Sequence, residues 1–305
     1  MALQINEGWL NVYKPLDITS SKVVQKIKKK FNIKKIGHAG TLDPKAKGVL
    51  PIAIGDATKL MSYVVDKEKQ YKFSIKWGQQ TTTDDKEGKI IFFSKKIPKK
   101  EEINNSLFKF IGLVEQIPPK YSSIKYLGKR SYSLSRKGIN FDLKTRKVEL
   151  FSLKHLNDLK FNKSTFLANC GPGYYIRSLG RDLAIDLGTR GHIASLERLK
   201  VGIFEKKNTI LLDDLLKLSH LSKEFNFFYK SAEVLDDIPA LTVKNDEVLE
   251  IKMGRKINIS FLSEKTFNNF HSKKFIFAKK NSDLIALGYI QGNFFRPKKV
   301  FIKEE

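Results

Sequence analysis

Hydrophobic and polar residues alternate over several short stretches of the chain. In the clearest stretch, from Gln70 to Trp77, aromatic and aliphatic residues fall on one face and lysine or serine on the other. This period of two predicts a half-buried strand whose inward face begins at Tyr71. Similar patterns predict strands at 89–93, 147–153 and 165–170, and the apolar run at 49–54 indicates a short buried segment.

Hydrophobic positions three to four residues apart predict three helices. The first follows Thr19-Ser20-Ser21, where a serine cap is expected to open an amphipathic helix. A second helix is predicted at 101–110. The third buries Ile176, Leu179, Leu183 and Leu187 and ends at Gly188. Arg177 and Arg181 lie one turn apart on that helix and therefore share a face.

The pattern of elements changes near residue 234. The preceding part mixes strands and helices and includes a polar, basic segment at about 118–138 that is typical of an exposed arm. The following part contains short strand-like pieces at 240–243, 275–277, 284–288 and 299–302. We therefore predict a main domain at 1–233 and a small β-rich domain at 234–305, with the stretch 224–230 connecting them.

The chain carries a large excess of positive charge. Its 305 residues include 57 lysines and arginines against 32 aspartates and glutamates, for a formal charge of +25. This excess favours a polyanionic partner, above all nucleic acid, because each neutralised phosphate releases counterions. Genome composition is the competing interpretation, since most of the excess is lysine in a chain also rich in Ile, Asn and Phe.

Arginine is scarce and unevenly distributed. Seven of the nine arginines lie between residues 130 and 198. Arginine makes paired hydrogen bonds to phosphates and carboxylates, where lysine would serve for solubility alone. We therefore expect RNA contacts in this part of the chain.

Several classes of protein find little support in the sequence. No apolar run has the 18 or more residues typical of a membrane helix, and residues 1–7 do not resemble a secretory signal, so a cytoplasmic protein is expected. Cys170 is the single cysteine, which excludes an internal disulfide. The five histidines are scattered, and the sequence contains no phosphate-binding loop, nucleophile elbow or dinucleotide fingerprint.

The remaining candidate for chemistry is Asp43, in a glycine-bearing polar loop at 37–47. Taken alone, Asp43-Pro44 favours a turn, because Asp-Pro commonly initiates one. Local chemistry therefore leaves a structural and a catalytic role open for this carboxylate.

The surrounding residues, Gly37-His-Ala-Gly-Thr-Leu-Asp43-Pro-Lys-Ala-Lys-Gly48-Val-Leu-Pro51, resemble the catalytic motif of the TruB family of tRNA pseudouridine synthases. Four further segments resemble the family in the same order, between residues 9 and about 203. They are Lys14-Pro15 with Thr19-Ser20; Lys69-Gln-Tyr71; Pro118 to Lys125 with Gly128, Arg130, Tyr132 and Arg136-Lys-Gly138; and Gly173-Tyr-Tyr175-Ile-Arg177-Ser-Leu. Asp17 stands where the family usually has glycine, and Ser123 where alanine is usual. The turn geometry at Asp17 and a packing contact at Ser123 are therefore in doubt.

The resemblance implies an α+β fold, with an eight-stranded mixed, mainly antiparallel sheet flanked by helices. It implies that the target is uridine 55 in the T arm of tRNA and that residues 118–138 bind RNA. It implies no cofactor. It also identifies the C-terminal part as a PUA-like RNA-binding domain, for which a generic β-rich accessory domain is the alternative.

The resemblance also assigns roles to single residues. Asp43 would be the essential carboxylate, attacking the sugar, attacking the ring or removing a sugar proton, and the sequence does not choose among these routes. Arg177 would hold that carboxylate ionised, with phosphate binding as the alternative. Tyr71 would stack on the uracil and exchange the C5 proton, unless it is an ordinary core aromatic.

Five further residues are candidates for substrate binding. His38 would occupy the place of an extruded base, although a structural histidine is an equal alternative, and Leu196 would line the pocket or belong to the core. The others, Lys14, Tyr175 and Arg130, would contact RNA or support the loop, with ordinary surface or core positions as the alternative.

Two other functions compete with this assignment. A guide-RNA-dependent pseudouridine synthase shares these motifs but needs partner proteins; the compact chain and its basic arm favour a stand-alone monomer acting on tRNA. A non-catalytic RNA-binding or RNA-folding protein would keep the basic surface but would not need Asp43.

Overall fold

The computed structural model describes residues 5–122, 124–139, 141–159, 161–263, 266, 268, 270, 272–273 and 275–301. The larger part contains the strands β1 Gly8–Lys14, β2 Ile36–His38, β3 Ala46–Ile54, β4 Lys69–Trp77, β5 Gln79–Thr81, β6 Ile90–Phe93, β7 Gly112–Gln116, β8 Lys125–Tyr126, β9 Lys129–Arg130, β10 Arg146–Leu159, β11 Lys163–Cys170, β12 Gly191–Val201, β13 Phe204–Glu205, β14 Ile210–Leu211 and β15 Phe228–Tyr229. Its helices are α1 Ser20–Lys30, α2 Met61–Val65, α3 Lys100–Ser106, α4 Ser131–Arg136, α5 Ile176–Asp186 and α6 Leu212–Lys217. Among these described residues, no helix is long and apolar enough to cross a membrane.

One large sheet organises this part of the chain. Eight strands follow one another in the order β14-β1-β3-β12-β4-β11-β10-β7, while β2, β13 and β15 pair at the side of this path. Along the path, β1 with β14 and β3 with β12 are parallel pairs, and the other neighbours are antiparallel. The predicted α+β class and its mixed, mainly antiparallel sheet are confirmed.

The core forms where the inward face of β4 meets helices α3 and α5. Tyr71, Phe73, Ile75 and Trp77 all lie in this buried cluster, as their alternation predicts. Helix α5 contributes Ile176, Leu179 and Leu183 from the face that the spacing predicts. The helix and strand that carry two of the candidate residues are therefore fixed against each other by apolar packing.

Three local predictions differ from the structure. The cap of α1 is Thr19, whose side chain accepts a hydrogen bond from the backbone of Lys22. Ser20 is buried in the first turn, where its hydroxyl accepts a hydrogen bond from the Leu42 backbone N–H instead. Residues 224–230 do not form a free connection, because β15 pairs with β1 and so belongs to the main sheet. Strands β1 and β12 were not predicted at all.

Close approach of two parallel strands explains one glycine of the motif. Gly48 in β3 lies opposite Arg198 in β12 and has a φ of +114°. A Cβ at this position would lie 2.2 Å from the Arg198 carbonyl oxygen. Only glycine allows both this backbone conformation and this strand spacing.

Gly48→Ala is therefore expected to destabilise the fold by roughly 2–5 kcal/mol, combining backbone strain with overpacking. Gly171→Ala is the matched control, since a Cβ there would meet its nearest atoms at 3.7 Å. Chemical denaturation of the two variants measures the difference. Equal stability of both variants would contradict the close approach of β3 and β12.

A second, smaller sheet contains the C-terminal strands. These are β16 Ala240–Thr242, β17 Ile257–Asn258, β18 Ile276–Lys280, β19 Asp283–Gln291 and β20 Phe294–Val300, with helix α7 Asn245–Lys252. Their order is β16-β18-β19-β20-β17. Strand β20 begins earlier than the predicted strand at 299–302, and residue 302 lies outside the described residues.

The two sheets share an apolar cluster. Trp9 and Val49 of the main sheet lie in the same buried cluster as Phe277, Leu287 and Phe301. Polar contacts reinforce it, because Lys59 donates to the Val300 carbonyl at 2.7 Å and Lys299 donates to the Lys59 carbonyl at 2.7 Å. The C-terminal sheet is therefore docked on the larger part and not tethered loosely to it.

Candidate active site

Asp43 lies in the loop between β2 and β3, and neighbouring segments hold this loop from several sides. The Ser20 hydroxyl accepts a hydrogen bond from the Leu42 backbone N–H at 2.9 Å and donates to the Leu42 carbonyl at 3.0 Å. The Asp17 backbone N–H donates to the Pro44 carbonyl at 2.9 Å. The carboxylate is thus presented by a loop whose backbone is fixed on both sides of it.

Lys14 supports the same loop from inside the protein. Its side chain is fully buried, and its Nζ donates to the carbonyls of Pro15, Ile18 and Pro44 at 2.9, 2.7 and 3.4 Å. Burial lowers the pKa of Lys14 to about 8, with Asp43 acting in the opposite direction. The geometry is that of a buttress for the loop rather than of a direct contact with a substrate.

Asp17, where the family usually has glycine, adopts the backbone conformation that glycine favours. Its φ is +64°, a left-handed conformation that aspartate tolerates better than most residues. Its carboxylate forms an ion pair with Lys45 of the loop that carries Asp43. The turn geometry is therefore kept, and the side chain adds a contact that glycine lacks. Ser123, the other departure, lies outside the described residues.

Arg177 contacts both carboxylate oxygens of Asp43. Its Nε lies 2.9 Å from Oδ2, and its Nη2 donates to Oδ1 at 3.2 Å across 134 positions of sequence. The Arg177 side chain is 6% exposed and that of Asp43 is 33% exposed, so the pair lies at the mouth of a cleft. Two-point contact of this kind fixes the orientation of the carboxylate.

The remaining donors of Arg177 bind the two segments that flank it. Nη1 donates to the Thr83 carbonyl at 3.1 Å and lies 3.7 Å from Asp85 Oδ2. Nη2 also donates to the Tyr121 carbonyl at 2.9 Å, in the segment that leads into the arm. One turn further along α5, Arg181 contacts Asp84 at 3.0 Å and the Ile117 carbonyl at 2.8 Å. The two arginines therefore bridge the same pair of segments.

Burial raises the pKa of Asp43 above its usual range, and the Arg177 guanidinium opposes that shift. Asp85 raises the pKa further, whereas the charges of Lys14 and Arg198 lower it. The carboxylate is thus poorly solvated, yet it has a cation on each side. Such an environment suits a carboxylate that contacts its substrate directly, without intervening water.

Tyr71 lies beneath the loop, at the start of the inward face of β4. It is 8% exposed, and its neighbour across the strand pair is Arg198 of β12. Burial raises the pKa of the Tyr71 phenol, whereas the charge of Arg198 lowers it. Tyr71 lies in the same buried cluster as Leu42, the residue before Asp43, and the Asp43 charge also raises the pKa of the phenol.

Arg198 is a site residue that the sequence patterns did not single out. It is 1% exposed, and its guanidinium donates to the carbonyls of Val49 and Gly40 at 2.8 Å each. The concentration of arginine between 130 and 198 thus has more than one origin: Arg177 and Arg198 are buried around Asp43, whereas Arg130, Arg136 and Arg146 are exposed.

A small cleft opens beside the Asp43–Arg177 pair. Leu196 and Ala46 line its apolar side, and Lys86 and Asp85 line its polar side. Leu196 is half-buried and packs against the main core cluster, so it serves both the wall and the core.

His38 and Tyr175 flank this region. His38 ends β2 and is half-buried; burial and the charge of Arg198 lower its pKa, so the imidazole is neutral at pH 7. Tyr175 precedes α5, and the Gln116 side chain contacts its backbone N–H and carbonyl at 2.9 and 3.1 Å. Burial raises the pKa of its phenol.

The basic arm consists of the hairpin β8–β9 and helix α4. Arg130 lies in β9 with an exposed side chain, away from the cleft-lining residues. Lys125 and Lys129 are also exposed on this hairpin. The arm thus presents positive charge to solvent, while its root is bonded to α5 through Arg177, Arg181 and Ser178.

Comparison with known proteins relates this geometry to a family. Residues 28–176 match the family model described as TruB family pseudouridylate synthase (N terminal domain). A "tRNA pseudouridine synthase B" of Caulobacter vibrioides is 44% identical over 250 residues, which cover 82% of this chain and 81% of that protein. Proteins of the same name from Ehrlichia ruminantium (41% over 300 residues, 96% and 99% covered) and Rickettsia bellii (40% over 298 residues, 97% and 99%) match over almost their whole length.

Solved structures show the same fold at lower identity. A Cbf5-Nop10-Gar1 complex superposes with a TM-score of 0.74 at 23% identity, covering 97% of this chain and 85% of that chain. An archaeal box H/ACA sRNP Nop10-Cbf5 complex gives 0.71 at 21% identity, covering 98% and 88%. The C-terminal sheet lies within the covered region and is consistent with a PUA-like domain. With relatives this similar along nearly the whole chain, the protein belongs to the TruB family of pseudouridine synthases.

Proposed function

We propose that this enzyme isomerises uridine 55 in the T arm of tRNA to pseudouridine, with Asp43 as the essential carboxylate. The observation that carries the proposal is the two-point contact between Asp43 and Arg177 beside an open cleft. Relatives that are 40–44% identical are named tRNA pseudouridine synthase B, which supports tRNA as the substrate.

The reaction needs only groups that this cleft contains. The bond between N1 and the ribose breaks, the base turns, and C5 bonds to the same sugar carbon. The C5–H bond then breaks, its electron pair forms the C5–C6 double bond, and N1 takes up a proton. No net oxidation or hydrolysis occurs, so a carboxylate acting as a covalent or basic catalyst suffices. In this proposal Arg177 holds Asp43 ionised, and Tyr71 exchanges the C5 proton.

Substrate binding is assigned to the residues around and beyond the cleft. A uridine in a folded loop is stacked, so it must be extruded at a cost of a few kcal/mol. His38, as a neutral imidazole, replaces the extruded base, and Leu196 and Tyr175 border the base inside the cleft. Arg130 and the rest of the 118–138 arm bind the RNA backbone, with Lys14 holding the catalytic loop.

The division of the chain follows from the same proposal. Residues 1–233 form the catalytic domain, and residues 234–305 form a PUA-like RNA-binding domain that adds contacts outside the T loop. The protein works in the cytoplasm as a monomer and requires neither a protein partner nor a cofactor.

A guide-RNA-dependent enzyme is the second candidate, since the similar folds come from Cbf5 complexes. Those chains are 21–23% identical, whereas the tRNA pseudouridine synthase B relatives are 40–44% identical over comparable lengths. Higher identity over the whole chain favours the stand-alone enzyme.

The deciding experiment uses purified protein alone and a tRNA transcript with C5-tritiated uridine at position 55. Rapid tritium release is expected, and a transcript labelled only at uridines outside the T arm should release none. Release that requires added partner proteins and a guide RNA would favour the second candidate. Release from other positions would reject the assigned target.

Activity is also expected to fall on the acidic side with an apparent pKa above about 3.9, the value of a free aspartate. Burial raises the pKa of Asp43, and only its ionised form acts, so activity is lost as the pH falls through that raised pKa. The free energy of unfolding changes in the opposite direction. It increases as the pH falls, because the folded state binds this proton more tightly than the unfolded chain. Single-turnover rates measured against pH, with circular dichroism as a control for folding, test this expectation. An acid limb at the ordinary aspartate value would contradict it.

A further inference from the structure

A buried arginine in the floor of the site, Arg198, has no carboxylate within 4.0 Å among the described ion pairs. Its side chain is 1% exposed. Burying a guanidinium is costly unless hydrogen bonds and nearby charge compensate it. A leucine or methionine would fill such a place with less cost if packing were the only requirement.

The hydrogen bonds of Arg198 lead to the catalytic loop. Nε binds the Val49 carbonyl in β3, and Nη2 binds the Gly40 carbonyl, three residues before Asp43, each at 2.8 Å. Gly40 has a φ of +88°, and a Cβ there would lie 3.2 Å from Arg198 Nη1. The guanidinium therefore lies directly against the turn that leads into Asp43.

The same residue lies directly beside Tyr71 in the sheet. The two residues are direct partners in the β4–β12 ladder, so their side chains leave the sheet on the same face. The charge of Arg198 lowers the pKa of Tyr71, of Asp43 and of His38. Three candidate residues from three different elements thus share one buried cation.

We propose that Arg198 is a positioning residue that fixes the Tyr71 phenol and the Gly40 turn and stabilises negative charge on the phenol oxygen during transfer of the C5 proton. In that step Tyr71 acts as the phenolate, after its own proton has passed to solvent. The C5–H bond breaks, the proton neutralises the Tyr71 oxygen, and the electron pair forms the C5–C6 double bond. Electron density moves from the C6–N1 double bond to N1, which is then protonated. The inference rests on the proposed function, because it assumes that Tyr71 handles this proton.

Arg198→Lys is the test variant, because it keeps the charge but removes the forked donors. The chain already accommodates buried lysines whose ammonium groups bind backbone carbonyls, at Lys14 and Lys69. Loss of one positioned donor is expected to slow single-turnover tritium release roughly a hundredfold. Binding of tRNA should remain close to wild type. Arg190→Lys is the matched control, since Arg190 is half-buried and stacks on Phe92 outside the site.

The decisive readout is the kinetic isotope effect with uridine carrying deuterium at C5. If Arg198 assists proton transfer, its replacement slows this step relative to the others. The isotope effect of Arg198→Lys then exceeds that of wild type. A slow variant with the wild-type isotope effect would show a merely structural role and overturn the inference, as would a variant with the wild-type rate. Arg198→Gln, which keeps amide donors without charge, is measured in the same way if the lysine variant does not fold. Full tritium release by Asp43→Asn would instead defeat the proposed function, whatever Arg198 does.

Discussion

Asp43→Asn is expected to lower tritium release from C5-labelled tRNA by roughly ten-thousand-fold or more, while tRNA binding stays close to wild type. Asparagine keeps the shape of the side chain and one acceptor oxygen, but it cannot attack a sugar carbon or accept a proton. The charge is lost in the middle of a preformed site whose other contacts remain. The variant should therefore lose the rate of tritium release without losing affinity for tRNA.

The stability of this variant provides its control. Because burial raises the pKa of Asp43, the ionised carboxylate opposes folding at neutral pH, and the neutral amide removes that opposition. We expect a thermal midpoint equal to or above that of wild type. An inactive variant with a lower midpoint would indicate damage to the fold, and a variant with wild-type release would reject Asp43 as the catalytic group.

Arg177→Gln is expected to reduce the single-turnover rate at neutral pH by two or more orders of magnitude and to cost roughly 2–5 kcal/mol of stability. The guanidinium makes contacts to Asp43, Thr83 and Tyr121 at 2.9 to 3.2 Å that glutamine cannot all replace. Without this cation, the pKa of Asp43 should rise further. The acid limb of the rate profile should then move to higher pH, and part of the activity should return as the pH is increased.

This pH dependence separates two roles of Arg177. A residue that only bound phosphate would raise the concentration of tRNA needed for half-maximal rate and leave the acid limb in place. Arg177→Lys is the comparison variant, because it keeps the charge near Asp43 but loses the two-point contact. Its acid limb should lie closer to wild type than that of Arg177→Gln. Identical acid limbs in all three proteins would contradict the proposed partnership.

Periodicity alone predicted much of the fold, because burial imposes it directly. The inward face of β4 and the buried face of α5 were evident from the spacing of their hydrophobic residues. Strand β12 was missed because two irregularities, between Ile193 and Ser195 and between Arg198 and Lys200, interrupt its pairing with β4. Strand β1 was missed because nearly every residue in it is buried, so its two faces do not differ.

For the candidate site, the sequence by itself determined the motif around Asp43, the family resemblance and therefore the expected chemistry. Local patterns could not establish which side chains meet, since Asp43 and Arg177 are 134 positions apart and are joined only by the docking of α5 beside the loop. Only the tertiary structure showed that Lys14 is fully buried and that Arg198 lies under both Gly40 and Tyr71. Burial and hydrogen bonding depend on neighbours from distant strands, and a one-dimensional pattern contains no record of them.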